Sequence, residues 1–322
     1  MERVGSSRHL GEAFAALAAM GFGSAYVATS FALVAFGPVP AAAWRAFLAA
    51  IAVGVLLAVR KLRADATSEA GQAEPASLAD RAVRLLVLST LAGPLFLTSM
   101  NLAVAHVGAA IASFVAGLYA VLAAVIAPVL LPERLTLRVL AGFVLAVVGT
   151  AMLAELAPGA TDAVGVGWGV LAAVAFALYL VLTRRWSRPY RLDGMTVAFA
   201  NGTLTAAVLG GFLLASDPAS LAPAAPPIGA LVALVWLGAV AALGPILTVA
   251  SLRRIPAARS AAFLLLNPIT ATILAVALLG ERPSALQVAG GLLVLLGMAA
   301  ATLPARAAHG PAPGTARPEA AP

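Results

Sequence analysis

Leu-Pro-Glu-Arg-Leu-Thr occupies residues 131–136 and is followed by Gly142 and Gly149; Leu-Gly-Glu-Arg-Pro-Ser occupies residues 279–284 and is followed by Gly290 and Gly297. Glu281 follows Glu133 by 148 residues, and the two trailing glycines keep that offset. Each Glu-Arg pair sits in a short break between two long apolar runs, so the chain reads as a duplicated bundle of membrane helices. An odd number of spans in each copy places the second copy upside down relative to the first. Inverted repeats of that kind are the architecture of secondary transporters.

Composition supports the membrane class. The chain has 322 residues, of which 62% are hydrophobic and 10% charged, against roughly 25% charged in a soluble domain. No aqueous fold hides that much apolar surface. Cysteine is absent, which removes disulfides, thiolate metal sites and thiol nucleophiles. The three histidines are His9, His106 and His309, two of them close to a terminus. No metal site, cofactor or nucleic-acid partner is expected. The net charge of +7 is explained by arginines flanking spans on the cytoplasmic side.

A spanning helix needs about 20 apolar residues. That ruler gives ten runs, at roughly 11–34, 39–59, 84–106, 108–131, 136–156, 165–185, 193–215, 228–252, 256–279 and 284–303. The polar loop 60–83 and the tail 304–322, rich in Pro, Ala and Gly, are not membrane, and the tail is expected to be disordered. With the N-terminus placed in the cytoplasm, the inner segments hold Arg3, Arg8, Arg60, Lys61, Arg63, Arg81, Arg84, Arg134, Arg138, Arg184, Arg185, Arg188, Arg191, Arg253, Arg254, Arg259, Arg306 and Arg317. Those are eighteen of the 20 basic residues; Arg282 lies outside and Arg45 within a span. Both termini are therefore predicted inside. Trp44, Trp168 and Trp236 near outer span ends, and Trp186 near an inner end, read as an interfacial belt. The first run exceeds the 7–15 apolar residues of a signal-peptide core.

The predicted fold is thus an all-α integral membrane protein. Ten transmembrane helices form two inverted five-helix repeats, at 11–156 and 165–303, joined by an outer linker at 157–164. Residues 1–10 form a cytoplasmic N-terminus. Further pairs carry the repeat: Leu17-Ala18-Ala19 and Phe22 with Leu171-Ala172-Ala173 and Phe176, and Gly93-Pro94 with Gly244-Pro245. Spans 2 and 7 match weakly, through Ala46-Phe47 and Ala198-Phe199. Proline removes a helix donor and clashes with the preceding turn, so the two Gly-Pro pairs are candidate hinges. They are equally consistent with static kinks. Paired interruptions in matching spans point to a transport pathway.

The residues at this stage resemble the drug/metabolite transporter superfamily, specifically the EamA-type exporters. The resemblance covers about residues 11–303 and rests chiefly on the two Glu-Arg-x-[Thr/Ser]…Gly…Gly segments. Trp44-Arg45 resembles the family's arginine early in span 2, and Pro128 and Asn267-Pro268 resemble the proline before the Glu. The resemblance implies ATP-independent export of small metabolites, often amino acids or drugs, across the inner or plasma membrane, and no enzymatic activity. It does not name a substrate. Asn201-Gly202-Thr203 in span 7 maps onto no family signature.

No Asp or Glu lies in the middle of a span, which weakens a carboxylate relay for proton antiport. Arg45 is the one ionisable residue well inside a span. Its burial costs about 2.5–3.5 kcal/mol on insertion scales. Either it meets a substrate carboxylate or a helix carbonyl, or it snorkels to the outer headgroups. Tyr119 and Asn267 match under the repeat offset near the centres of spans 4 and 9, where a central site would use them. The competing reading is an interhelical hydrogen bond, worth about 0.6 kcal/mol. Tyr26, Ser99, Asn101, Tyr179 and Ser251 form a second tier of substrate-binding candidates. His106 reads as a solvated interfacial histidine. Glu133 and Glu281 are expected to complement the dipoles of the helices they precede, with Thr136 and Ser284 as N-caps.

Partners are thus a small-molecule substrate and the lipid bilayer; a monomer is compatible with the sequence, which does not set the oligomeric state. Two other classes remain: a membrane-embedded enzyme acting on a lipid or polyprenyl substrate, and the membrane subunit of an ATP-driven importer. The first needs convergent Asp, Glu, His or Arg near an interface, and no such cluster is evident.

Overall fold

The fold is taken from a computed structural model, which describes residues 2–64, 77–131, 136–153, 162–186, 189–190, 192–252, 254, 263 and 266–302. The tail at 304–322, Glu133 and Arg134, residues 65–76 of the 60–83 loop and most of the 157–164 linker lie outside the described residues.

The described chain is helical. In order it forms α1 (Glu2–Leu33), α2 (Pro38–Ala64), α3 (Leu78–Thr90), a π-helical turn (Leu91–Leu95), α4 (Phe96–Gly117), α5 (Tyr119–Leu130) and α6 (Leu137–Leu153). The second half holds α7 (Ala163–Trp186), α8 (Gly194–Ser216), a 3-10 turn (Pro218–Leu221), α9 (Ile228–Leu252), α10 (Leu266–Leu274), a second π-helical turn (Ala275–Leu279) and α11 (Ala285–Thr302). Six helical stretches are long and apolar enough to cross a bilayer, and 137–153, 266–279 and 285–300 are shorter apolar helices. One of the six, Leu78–Leu130, runs for 53 residues, far beyond the ~20 that a bilayer accommodates. It is not continuous. Gly108, at φ 77° and ψ 171°, breaks the helix where a non-glycine side chain is disfavoured.

Large apolar side chains are exposed along most helices, including Ile51, Val144, Phe212, Val235, Ile273 and Leu292. Apolar surface on that scale is a membrane-facing surface, and the chain is a multi-pass membrane protein.

Helix contacts repeat across the two halves. α1 packs on α9 as α7 packs on α4; α1 packs on α10 as α7 packs on α5; α2 packs on α9 as α8 packs on α3. Two further extensive contacts, α2 with α8 and α6 with α11, join equivalent helices of each half. The α6–α11 contact explains the glycines of the repeated segment. A Cβ on Gly290 would lie 2.6 Å from the Gly149 carbonyl oxygen, one on Gly149 would lie 2.5 Å from that of Gly290, and one on Gly297 would lie 2.5 Å from that of Gly142. The two helices cross backbone to backbone, as small residues permit in membranes.

The unmapped Asn201-Gly202-Thr203 also acquires a role. A Cβ on Gly93, which breaks the α3–α4 line at φ −93° and ψ −107°, would fall 2.5 Å from Asn201 Oδ1 and 2.0 Å from Thr205 Oγ1. Gly202 in turn meets the Ala46 carbonyl and Ala50 amide of α2. The segment is where α8 fits against the Gly93-Pro94 interruption and against α2.

Candidate functional site

Arg45, Tyr26, Tyr119 and Asn267 come from α2, α1, α5 and α10, and all four are buried, at 4%, 3%, 5% and 7% exposure. Tyr26 lies within electrostatic range of both Arg45 and Tyr119, and the Asn267 side chain lies beside the Tyr119 hydroxyl. The two residues at matching repeat positions therefore meet. Arg45 and Tyr26 extend the same polar line toward the end that the Lys/Arg count assigns to the outside.

The line is not internally satisfied. Arg45 Nε and Nη1 and Asn267 Oδ1 are buried without a hydrogen-bond partner. At 4% exposure the Arg45 guanidinium does not snorkel to the headgroups, and a buried cation with unpartnered nitrogens is strongly disfavoured unless something pairs with it. Gly23 lets α1 approach the Asn267 backbone: its Cβ would lie 2.4 Å from the Asn267 carbonyl oxygen.

An aromatic shelf adjoins Tyr119. Its ring meets Phe176 edge-on at 4.9 Å, and Phe176 also packs on Phe96 at 4.7 Å and on Tyr179 at 5.3 Å. Tyr179 thus joins Tyr119 through Phe176. Phe96 and Phe176 carry no sequence signal as site residues, because within spans that are apolar all round a phenylalanine reads as lipid or core. Asn101 is fully buried, gives its Nδ2 to the Pro38 carbonyl at 2.9 Å and leaves Oδ1 unpartnered. Ser99 and Ser251 are buried on α4 and α9. Of the candidate hinges, Gly93-Pro94 departs from helical backbone, whereas Gly244-Pro245 lies within α9, with Gly244 against the Phe22 ring.

A cavity of about 640 Å³ lies at the end assigned to the cytoplasm, lined by Arg60, Asp193, Met195, Pro245, Ile246 and Arg254. The opposite end is tied between the halves. Trp44 Nε1 donates to the Leu221 carbonyl at 2.8 Å, and His106 Nδ1 lies 2.5 Å from Asp162 Oδ2. His106 is thus paired rather than merely solvated. The His106 hydrogen bond, then the Val164 amide, hold the Asp162 carboxyl below its ordinary range. A depressed carboxyl pKa stabilises the fold above the unfolded value, near 4, and the gain is lost as pH falls through the folded value. Asp162→Asn should therefore melt below wild type at pH 5 to 6, with the gap closing as pH falls below the unfolded value. A gap that widens on acidification would contradict the assignment.

Thr136 Oγ1 accepts from the Val139 amide at 3.4 Å, and Ser284 with Gln287 forms a reciprocal cap at 3.1 and 3.0 Å. Glu281 does not serve the helix that follows it, contrary to its sequence position: its carboxylate accepts from the Ala109 and Ala110 amides at 2.7 and 3.1 Å. The local reading fails because Ser284 and Gln287 already cap α11, and Gly108 leaves a second set of free amides within reach.

The model of the EamA-like transporter family matches residues 9–154 and 163–303. No curated protein sequence matches the chain. Among solved structures, one described only as a crystal structure of a protein matches with a TM-score of 0.59 at 20% identity, over 92% of this chain and 96% of the other; that likeness shows the fold.

Proposed function

Because the chain belongs to the EamA-like transporter family, matched in both halves, we propose that it is a secondary transporter that exports small metabolites across the inner or plasma membrane. Candidate substrates are amino acids, drugs and related compounds. The two halves act as inverted five-helix repeats, ten spans in all with both termini inside, and alternate access around the Arg45–Tyr26–Tyr119–Asn267 line. The observation that carries this reading is the set of buried unpartnered polar atoms on that line. A fully satisfied helix interface has no use for them, and each is costly unless something occupies it in turn. The paired helix contacts of the two halves support the inverted relation.

The chemistry of the line favours a substrate that carries a carboxylate for Arg45, a donor for Asn267 Oδ1 and an apolar body for the Phe96–Phe176–Tyr179 shelf. Binding of the carboxylate supplies the missing partner of the guanidinium through charge-assisted hydrogen bonds. The cavity beside Arg60, Asp193 and Arg254 serves as the cytoplasmic entry in this reading.

A screen of amino-acid and drug efflux in cells expressing the protein tests the function. Faster efflux of a carboxylate-bearing compound supports it, and efflux indifferent to expression across the panel counts against it. Reporter fusions at Leu10 and after Pro304 test the orientation; an active periplasmic phosphatase at either site rules out the ten-span arrangement. Tyr119→Phe and Asn267→Ala each remove one neutral hydrogen bond, worth about 0.5–1.5 kcal/mol, or roughly 2- to 13-fold in apparent affinity. Unchanged transport kinetics with a lower melting temperature would assign the pair to the scaffold.

A further inference from the structure

Gly108 ends one helical segment, and the segment that begins at Ala109 has first-turn amides without intrahelical partners. Glu281, 172 residues later, fills two of them: Oε1 accepts from the Ala109 amide at 2.7 Å and Oε2 from the Ala110 amide at 3.1 Å. Both oxygens of one carboxylate are used, on the positive end of a helix. Gly108 is needed twice here, since its φ is +77° and a Cβ would lie 2.9 Å from Glu281 Oε1. The contact joins the first half of the chain to the second, at the same end as the Trp44–Leu221 and His106–Asp162 contacts. It is the member of that set in which both oxygens of one carboxylate hold backbone donors of the other half. The cavity at the opposite end, beside Pro245 and Arg254, is the counterpart of a closed outer face.

We propose that Glu281 is a positioning residue for transport, a clasp that holds the outer end closed while the inner end is accessible. This rests on the orientation and alternating access given above. In the outward-open state the halves separate at this end, the carboxylate leaves the Ala109 and Ala110 amides, and water replaces it on both sides. Glu281 touches no substrate in this scheme. It sets the balance between the two states, because hydrogen bonds to a charged group shift a two-state equilibrium by about tenfold or more.

The chain contains no cysteine, so a single introduced thiol reports on one position. Ser113, 1% exposed and one turn below the clasp on the same helix, is replaced in Ser113→Cys. Intact cells are treated with a membrane-impermeant maleimide. With Glu281 present, labelling is expected to be slow; with Glu281→Gln, which keeps the size but loses the charge and one acceptor, about tenfold faster or more. Glu281→Asp, too short to reach both amides, is expected to accelerate it as well and covers the case in which the Gln variant does not fold. Ala219→Cys, exposed in the 3-10 turn, fixes the side. If it labels from outside while the Ser113→Cys rate is the same with and without Glu281, the clasp is refuted. If it labels only after permeabilisation, the orientation itself is refuted, and the clasp's placement at the outer end with it.

Discussion

Gly290→Ala is expected to lower the melting temperature sharply and reduce the yield of folded protein, because the added methyl meets backbone rather than a side chain. At 2.6 Å from the Gly149 carbonyl oxygen and 2.9 Å from the Leu153 amide, it has no neighbour that can rotate away, so α6 and α11 must separate. Overpacking typically costs about 1–3 kcal/mol, and a contact along the full crossing puts this substitution at the upper end. Gly149→Ala should match it, since its methyl meets the Gly290 carbonyl oxygen at 2.5 Å. Gly210 and Gly211 on α8 supply the control, having nothing within 4 Å of an added Cβ. There alanine should be neutral or stabilise by up to about 1 kcal/mol through helix propensity. Equal melting temperatures for Gly290→Ala and Gly210→Ala in detergent would show that the crossing is looser than described.

Arg45→Met is expected to change stability and transport in opposite directions. Methionine keeps the length and apolar stem of the side chain but removes a guanidinium with two unpartnered buried nitrogens. Replacing buried charge by apolar bulk is often stabilising, by about 1–4 kcal/mol, so the variant should melt higher than wild type. The same change deprives a substrate carboxylate of its partner. Loss of charged hydrogen bonds worth about 1.5–3 kcal/mol corresponds to roughly 10- to 100-fold weaker transport of carboxylate substrates, with a smaller effect on neutral ones. A destabilised Arg45→Met that transports normally would make Arg45 a structural residue.

The sequence carried the repeat, the alternation of basic loops and the conspicuous polar residues in the spans, because a charge or amide in an apolar run is rare and local. It did not carry what those features touch. Gly142 and Gly149 appear in sequence only as matches of Gly290 and Gly297, and only packing sets Gly149 against Gly290 and Gly142 against Gly297. Glu281 sits beside the start of α11, so a local reading makes it that helix's cap; its partners lie 172 residues earlier. Asn201 had no legible meaning because Gly93, which receives it, is in the other half. Phe96 could not be picked out, and Phe176 stood out only as the repeat match of Phe22, since helices that are apolar on every side lack the amphipathic signal that marks a buried face.

Transport by the purified protein in liposomes that contain no ATP is the most direct measurement. Vesicles preloaded with an unlabelled carboxylate substrate found in the efflux screen should transiently accumulate the labelled compound by counterflow, and Arg45→Met vesicles should not. Accumulation that requires ATP and a partner protein, or chemical conversion of the labelled compound, would contradict a self-sufficient carrier built on two inverted halves.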